Sequence, residues 1–331
     1  MSALTLGLII ALTCVLIAEF VNGWTDAPNA IATVVSTGVM SPRTAVAMAV
    51  VLNTLGAMAG TAVASTVGKG IVAPSALTLP AITAAMVSII AWGGIAAKYG
   101  IPVSKSHALL AGLAGAAYAG GGFDALQASG WTKVVIGMVC SIGLGFLGAL
   151  LIGRLIIALA GRMRPAKAKR TFDRLQIVSA GFMAFNHGLN DGQKFMGVFA
   201  LTLLTGGFTQ KFQIDTWMIL ICAATMGLGT ACGGWRIIKT IGSKMTRIVS
   251  WQGFAAEAAA SSTIFGASMF GIPLSTTHTI TSSIVGVGAC RRLGDVNWSV
   301  LKRILLAWVA TFPFCAILAF VTATIANKLF L

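Results

Sequence analysis

Apolar positions run along this chain in stretches of about 20 residues without a single charge, the length a helix needs to cross a hydrocarbon core of about 30 Å. Such segments fall at about 3–22, 43–67, 79–98, 103–120, 133–160, 175–206, 214–233, 250–270, 274–290 and 303–328. They predict an all-α integral membrane protein with about 10–12 membrane segments. Two runs are too long for one simple span. From Leu4 to Met40 a continuous helix would extend about 55 Å, so this run and the sixth must break, tilt or turn back. Gly23, Asp26 and Pro28 interrupt the first long run, and Gly188, Asn190, Asp191 and Gly192 interrupt the sixth. Discontinuous helices are expected at both places.

The interruptions repeat. Phe20, Gly23 and Asp26 return as Phe185, Gly188 and Asp191, and GIPVSKSH (Gly100 to His107) returns as GIPLSTTH (Gly271 to His278). Two motifs recur in the same order. The chain therefore divides into a first repeat at 1–160, a basic cytoplasmic linker at 161–174 and a second repeat at 175–331. With five segments in each half, an odd number, the second half is expected to lie upside down relative to the first, as an inverted-topology repeat.

Composition agrees with a lipid-facing surface: 57% of residues are hydrophobic, 9% are charged, and mean hydropathy is +0.90. A net charge of +15 would point to nucleic acid in a soluble protein. Here the basic residues cluster between apolar segments, at Arg162 to Arg174, Arg236 to Arg247 and Arg291 to Arg303. An alternating path puts 17 of the 23 Lys and Arg residues on one side. The positive-inside rule makes that side cytoplasmic, places both termini outside and leaves no nucleic-acid partner. The N-terminus opens directly into an apolar run without a basic flank, which is the pattern of a first span and not of a cleaved signal. Six scattered cysteines imply neither a disulfide framework nor a metal site.

Candidate chemistry lies in the repeated motifs. A carboxylate at the centre of a membrane helix costs about 2.5–3.5 kcal/mol on insertion scales, so Asp26 and Asp191 demand a purpose. They supply the charge that a bound Na⁺ or H⁺ requires, with Asn22, Asn29 and Asn190 as amide-oxygen ligands. Ser104 and Ser106 in one half, and Ser275, Thr276 and Thr277 in the other, follow a proline and offer hydroxyls and backbone amides suited to a tetrahedral oxyanion. Each serine also suits an ordinary helix N-cap. Lys105 stands where the second copy has Thr276, with three readings open: facing the substrate, pairing with a carboxylate, or snorkelling to the interface. His107 and His278 suit either a proton relay or helix packing. Glu19 and Glu257 lie inside apolar segments and each needs a partner, Glu257 among small residues that permit an ion site. Gly56 and Gly60 form a small-xxx-small pair suited to helix packing. No nucleophile elbow, P-loop or paired metal-ligand spacing is present, so neither an enzyme nor ATP coupling is expected.

At NGWTDAPNA, HGLNDGQKF, GFAAE and the two GIPxSxxH copies, the chain resembles the inorganic phosphate transporter family over nearly its whole length. The resemblance implies a cation-coupled phosphate symporter without a cofactor, driven by Na⁺ or H⁺ and working by alternating access. It assigns Asp26, Asn29, Asn190, Asp191 and Glu257 to the coupling ion, with Na⁺ at Asp26, Asn29, Asn190 and Asp191. Ser104, Ser106, Ser275, Thr276 and Thr277 are assigned to phosphate, and Lys105 joins them as the charge beside the motif. A homodimer in a bacterial or archaeal cytoplasmic membrane, in contact with lipid, is also implied. Thr25 departs from the usual Asn of the first signature, Gln193 and Lys194 from a small residue and Asn in the second, and Lys105 from a hydroxyl residue. Sulfate, a metal–phosphate complex and an uncoupled anion channel are the competing readings.

Overall fold

The computed structural model describes residues 3–290 and 292–330. Arg291, at the head of the third basic cluster, lies outside the described residues. The first half consists of α1 (Ala3–Ser36), α2 (Pro42–Met58), α3 (Ala62–Gly70), α4 (Leu79–Tyr99), α5 (Lys105–Gly121) and α6 (Ala128–Ala160). The second consists of α7 (Pro165–His187), α8 (Gln193–Thr205), α9 (Thr216–Cys232), α10 (Trp235–Lys239), α11 (Ser250–Met269), α12 (Thr276–Ala289) and α13 (Trp298–Phe330). The order of elements repeats: α1 corresponds to α7–α8, α2–α3 to α9–α10, and α4, α5 and α6 to α11, α12 and α13. Residues 165–174, read from the sequence as linker, form the first turns of α7.

The helix breaks fall elsewhere than at the repeated aspartates. α1 passes through Gly23, Asp26 and Pro28 as one helix of 34 residues. A proline inside a helix removes one backbone hydrogen bond, which neighbouring helices can compensate in a membrane protein. At the second motif the chain stays helical through a π-turn at Gly188–Gly192 that joins α7 to α8. A π-turn inserts one residue into the helical ladder and reorients the side chains it carries. The true breaks are the bends of 67° between α2 and α3 and 63° between α9 and α10. Against ten expected segments, four helices among the described residues (α1, α4, α6 and α13) are long and apolar enough to cross a bilayer, or up to six elements if each bent pair is one span. The others are shorter or more polar.

α6 shows why the assembly is stable in lipid. Its inward positions are Gly130, Val134, Gly137, Ser141, Gly145, Ala149 and Gly153, all buried. Leu144, Leu147, Leu151 and Leu155 point outward, each more than half exposed. Small residues inside and large apolar residues outside is the pattern of a helix whose outer solvent is hydrocarbon. With the apolar spans it makes the chain an integral membrane protein.

At two places where a helix of the first half packs on one of the second, backbones approach too closely for a Cβ. A methyl on Gly23 would lie 2.2 Å from the Met226 carbonyl oxygen, and one on Gly229 2.1 Å from that of Phe20, which locks α1 to α9. The second such contact joins α2 to α7 and the π-turn, with Gly188 against the Asn53 carbonyl oxygen at 2.0 Å and Gly56 against that of Phe185 at 1.9 Å. Gly56 is thus a packing residue.

Two apolar cores result. One gathers Val15 and Ala18 of α1 with α3, α4, α5, α8 and α9. The other gathers Ala30 and Ile31 of the same helix with α2, α7, α11, α12 and α13. The polar residues of α1 lie between them. At one end, Arg236 donates to the Lys98 carbonyl at 2.5 Å, and Asn297 N–H to the Met245 carbonyl at 2.8 Å, so the loops carrying the second and third basic clusters meet.

Candidate functional site

The two Pro-Ser motifs converge. α4 ends at Gly100 in the left-handed conformation, the chain runs extended through Pro102 and Val103, and α5 begins at Lys105. The second copy does the same between Gly271 and Thr276. Ser104 and Ser275 are N-caps, accepting from the amides of His107 at 3.2 Å and His278 at 3.1 Å. Capping leaves the next hydroxyls to bridge the halves. Ser106 Oγ donates to the Leu274 carbonyl at 3.1 Å, and its counterpart Thr277 Oγ1 to the Val103 carbonyl at 3.5 Å. Two helix N-termini therefore meet tip to tip.

Behind the tips the imidazoles of His107 and His278 meet edge to face at 4.5 Å, and His278 stacks on Trp308 at 3.6 Å. Both rings are packed against neighbours, while Nδ1 of each and Nε2 of His278 are buried without a hydrogen-bond partner among the described residues.

The aspartates flank this junction. Asp26 Oδ2 accepts from Thr277 at 3.3 Å, and its other oxygen lies 3.7 Å from Lys105 Nζ. Lys105 is 1% exposed, which removes the snorkelling reading, and its ammonium makes no direct hydrogen bond among the described residues. Asp191 accepts from Thr276 at 2.8 Å on one oxygen and from Lys194 at 2.5 Å on the other. His187, one turn earlier on α7, brings Nε2 within 3.3 Å of Asp191 and Nδ1 within 3.2 Å of the Asn53 amide oxygen. Ligand atoms of Asp26, His187 and Asp191 all lie within 4.8 Å of one another, close enough to share a cation.

Asn29 Nδ2 donates to Thr277 at 3.0 Å. Asn190 instead reaches α11 and the loop after it, donating to Ser268 at 2.8 Å and to the Ile272 carbonyl at 3.3 Å. Asn22 donates to Glu19 at 3.2 Å and does not join the tips.

Glu257, on α11, forms a separate centre. It accepts from the hydroxyls of Thr33 and Ser179 and, at 3.4 Å, from Gln176. Gln176 also accepts from Thr37 at 2.9 Å. Thr37 lines a cavity of about 470 Å³ that is walled by Ile156, Phe172, Ile248 and Trp251 and opens beside Lys169. Among the described residues no cationic side chain contacts Glu257; its partners there are two hydroxyls and one amide.

Lys194, His187, Thr33, Gln176 and Ser179 were not among the sequence-derived site residues. Thr33 could have been found from its spacing, since Glu19, Asn22, Asp26, Asn29 and Thr33 fall on one face of a continuous helix. His187 precedes Asp191 by four residues and was open to the same argument.

The chain is matched by the model of the phosphate transporter family (PHO4) across residues 22–319. It is 41% identical over 325 residues to a probable low-affinity inorganic phosphate transporter of Bacillus subtilis (strain 168), covering 97% of this chain and 98% of the relative. A protein of the same description from Rhizobium meliloti (strain 1021) is 42% identical over 303 residues, with 91% of each chain covered. Among solved structures, one described as the sodium-dependent phosphate transporter superposes with a TM-score of 0.90 at 25% identity, over 98% of this chain and all of that one. With a family model spanning most of its length and relatives matched nearly end to end, this chain belongs to the phosphate transporter family.

Proposed function

We propose that the chain is a secondary symporter for inorganic phosphate, which binds between the tips of α5 and α12 and crosses by alternating access of two inverted halves. The observation that carries this reading is the tip-to-tip junction itself. Two helix N-termini point amide dipoles at one place, hydroxyls of Ser106, Thr276 and Thr277 line it, and the Lys105 ammonium beside it has its hydrogen-bonding capacity unspent. Helix N-termini and uncharged donors bind an oxyanion while still allowing release. The sodium-dependent description of the similar structure favours cation coupling.

Glu257 is the acid best suited to a mobile cation, because two hydroxyls adjoin it and, among the described residues, no lysine pairs with it. The cavity reaching Thr37 is lined by Lys169, which belongs to the first basic cluster, and the positive-inside rule assigns that cluster to the cytoplasmic side.

Uptake of radiolabelled phosphate into proteoliposomes, with Na⁺ and H⁺ gradients imposed separately and sulfate as competitor, tests this function. Accumulation against the phosphate gradient supports a symporter and names the ion. Equilibration without accumulation would leave a channel, and accumulation of sulfate alone would overturn the substrate.

A further inference from the structure

The two halves are not chemically equivalent around their aspartates. Asn29 and Lys194 are counterparts in the repeat, each three residues after its aspartate, Asp26 or Asp191. Each reaches across to the opposite Pro-Ser motif, but Asn29 brings a neutral amide and Lys194 a charge. The Lys194 ammonium contacts Asp191 Oδ1 at 2.5 Å, Ser106 Oγ at 2.5 Å and the Leu274 carbonyl oxygen at 2.7 Å. Those three are a carboxylate, a hydroxyl and a main-chain carbonyl released from helical bonding. They are the oxygen types that hold a coupling cation in transporters with interrupted helices.

The side chain is 1% exposed, and its three hydrogen bonds use all three protons of the ammonium group. Nothing is left for it to donate to a substrate.

We propose that Lys194 is a tethered cation: its ammonium group occupies the place a mobile Na⁺ would take beside Asp191, so that this half of the molecule carries no transported cation. The inference builds on the symporter reading and narrows it. The Asp26, His187 and Asp191 ligand atoms come close enough for a metal ion, yet a lysine stands against each carboxylate, Lys105 at 3.7 Å from Asp26 and Lys194 at 2.5 Å from Asp191. A further cation there would face two fixed positive charges with only two carboxylates to balance them. Na⁺ does not fit the Asp191 site as this chain builds it. The consequence is that fewer cations accompany each anion than in a homologue with an amide at position 194. Glu257, without a lysine, remains open to a mobile cation.

The test is equilibrium binding of radioactive Na⁺ to purified full-length protein in detergent, compared among wild type, K194N and K194N/D191N. K194N installs the residue the first repeat carries. It is expected to bind one more Na⁺ per chain than wild type, and K194N/D191N to return to the wild-type number. An unchanged number in K194N that remains monodisperse overturns the proposal. Should K194N not fold, wild-type crystals soaked with Tl⁺, an anomalous-scattering substitute for Na⁺, decide the matter. Density at the Asp191 carboxylate overturns the proposal, and its absence there, with the lysine in place, supports it. These readouts need no transport, so failure of phosphate uptake would remove the symporter reading and leave the Na⁺ count standing.

Discussion

Lys194 and Asn29 make the same cross-repeat contact with different chemistry: Lys194 Nζ donates to Ser106 Oγ at 2.5 Å, and Asn29 Nδ2 to Thr277 Oγ1 at 3.0 Å. Ser106 and Thr277 are themselves counterparts. Matched positions of the two repeated motifs thus make matched hydrogen bonds, one from a charged group and one from a neutral amide.

The Lys194–Asp191 pair is fully buried, and removing one partner of such a pair typically costs about 3–5 kcal/mol because the other charge is left uncompensated. D191N is expected to lower thermal stability by that order and to abolish phosphate uptake. D191N/K194M, which removes both charges, is expected to recover most of the stability and none of the uptake. Scanning fluorimetry in detergent and proteoliposome uptake check the two halves of this statement. Recovery of uptake in the double variant would show that the pair only holds the fold.

Glu257 is surrounded by donors that serve a glutamine nearly as well, so E257Q is expected to fold normally. What it loses is the charge that attracts a cation. Accumulation of phosphate against its gradient should fall by about 5- to 150-fold, the range of ordinary coupling energies. Exchange of phosphate for phosphate across the membrane should be retained. Wild-type accumulation by E257Q would place the coupling ion elsewhere.

The close backbone contacts give a prediction about folding alone. G56A places a methyl 1.9 Å from the Phe185 carbonyl oxygen and G229A one 2.1 Å from that of Phe20, whereas a methyl at Gly266 meets nothing within 4 Å. Overpacking of this kind costs about 1–3 kcal/mol or more. G56A and G229A should lower the melting temperature clearly and G266A should not; equal behaviour of all three would contradict the packing described.

The repeat was legible in the sequence because both motifs contain residues that hydrocarbon does not tolerate without cause. Their recurrence in the same order is what suggested a division into two repeats. The helix breaks were misplaced, because Gly and Pro around Asp26 read as breakers when the surrounding helices in fact support a continuous α1. That error hid the polar stripe running from Glu19 to Thr33, which has helical spacing only if the helix continues. Lys194 stood out as a departure from the family pattern. Its role was not readable, since its partners Ser106 and Leu274 lie 88 and 80 residues away in sequence and only the fold brings them to one point. Gln176 and Ser179 were hidden for the same reason: Glu257 is their partner only across the packing of α7 on α11.

The glycine contacts between α1 and α9, and between α2 and the π-turn, act as welds. Where two main chains touch, neither can slide by a residue without driving a side chain into a carbonyl, so each welded pair moves as a stiff beam. The tips of α5 and α12 are joined by a clasp of hydroxyl–carbonyl bonds, which an anion would open by accepting from the hydroxyls while water serves the freed carbonyls. A machine built of stiff beams and one exchangeable clasp concentrates its motion at the clasp, where its cargo would sit.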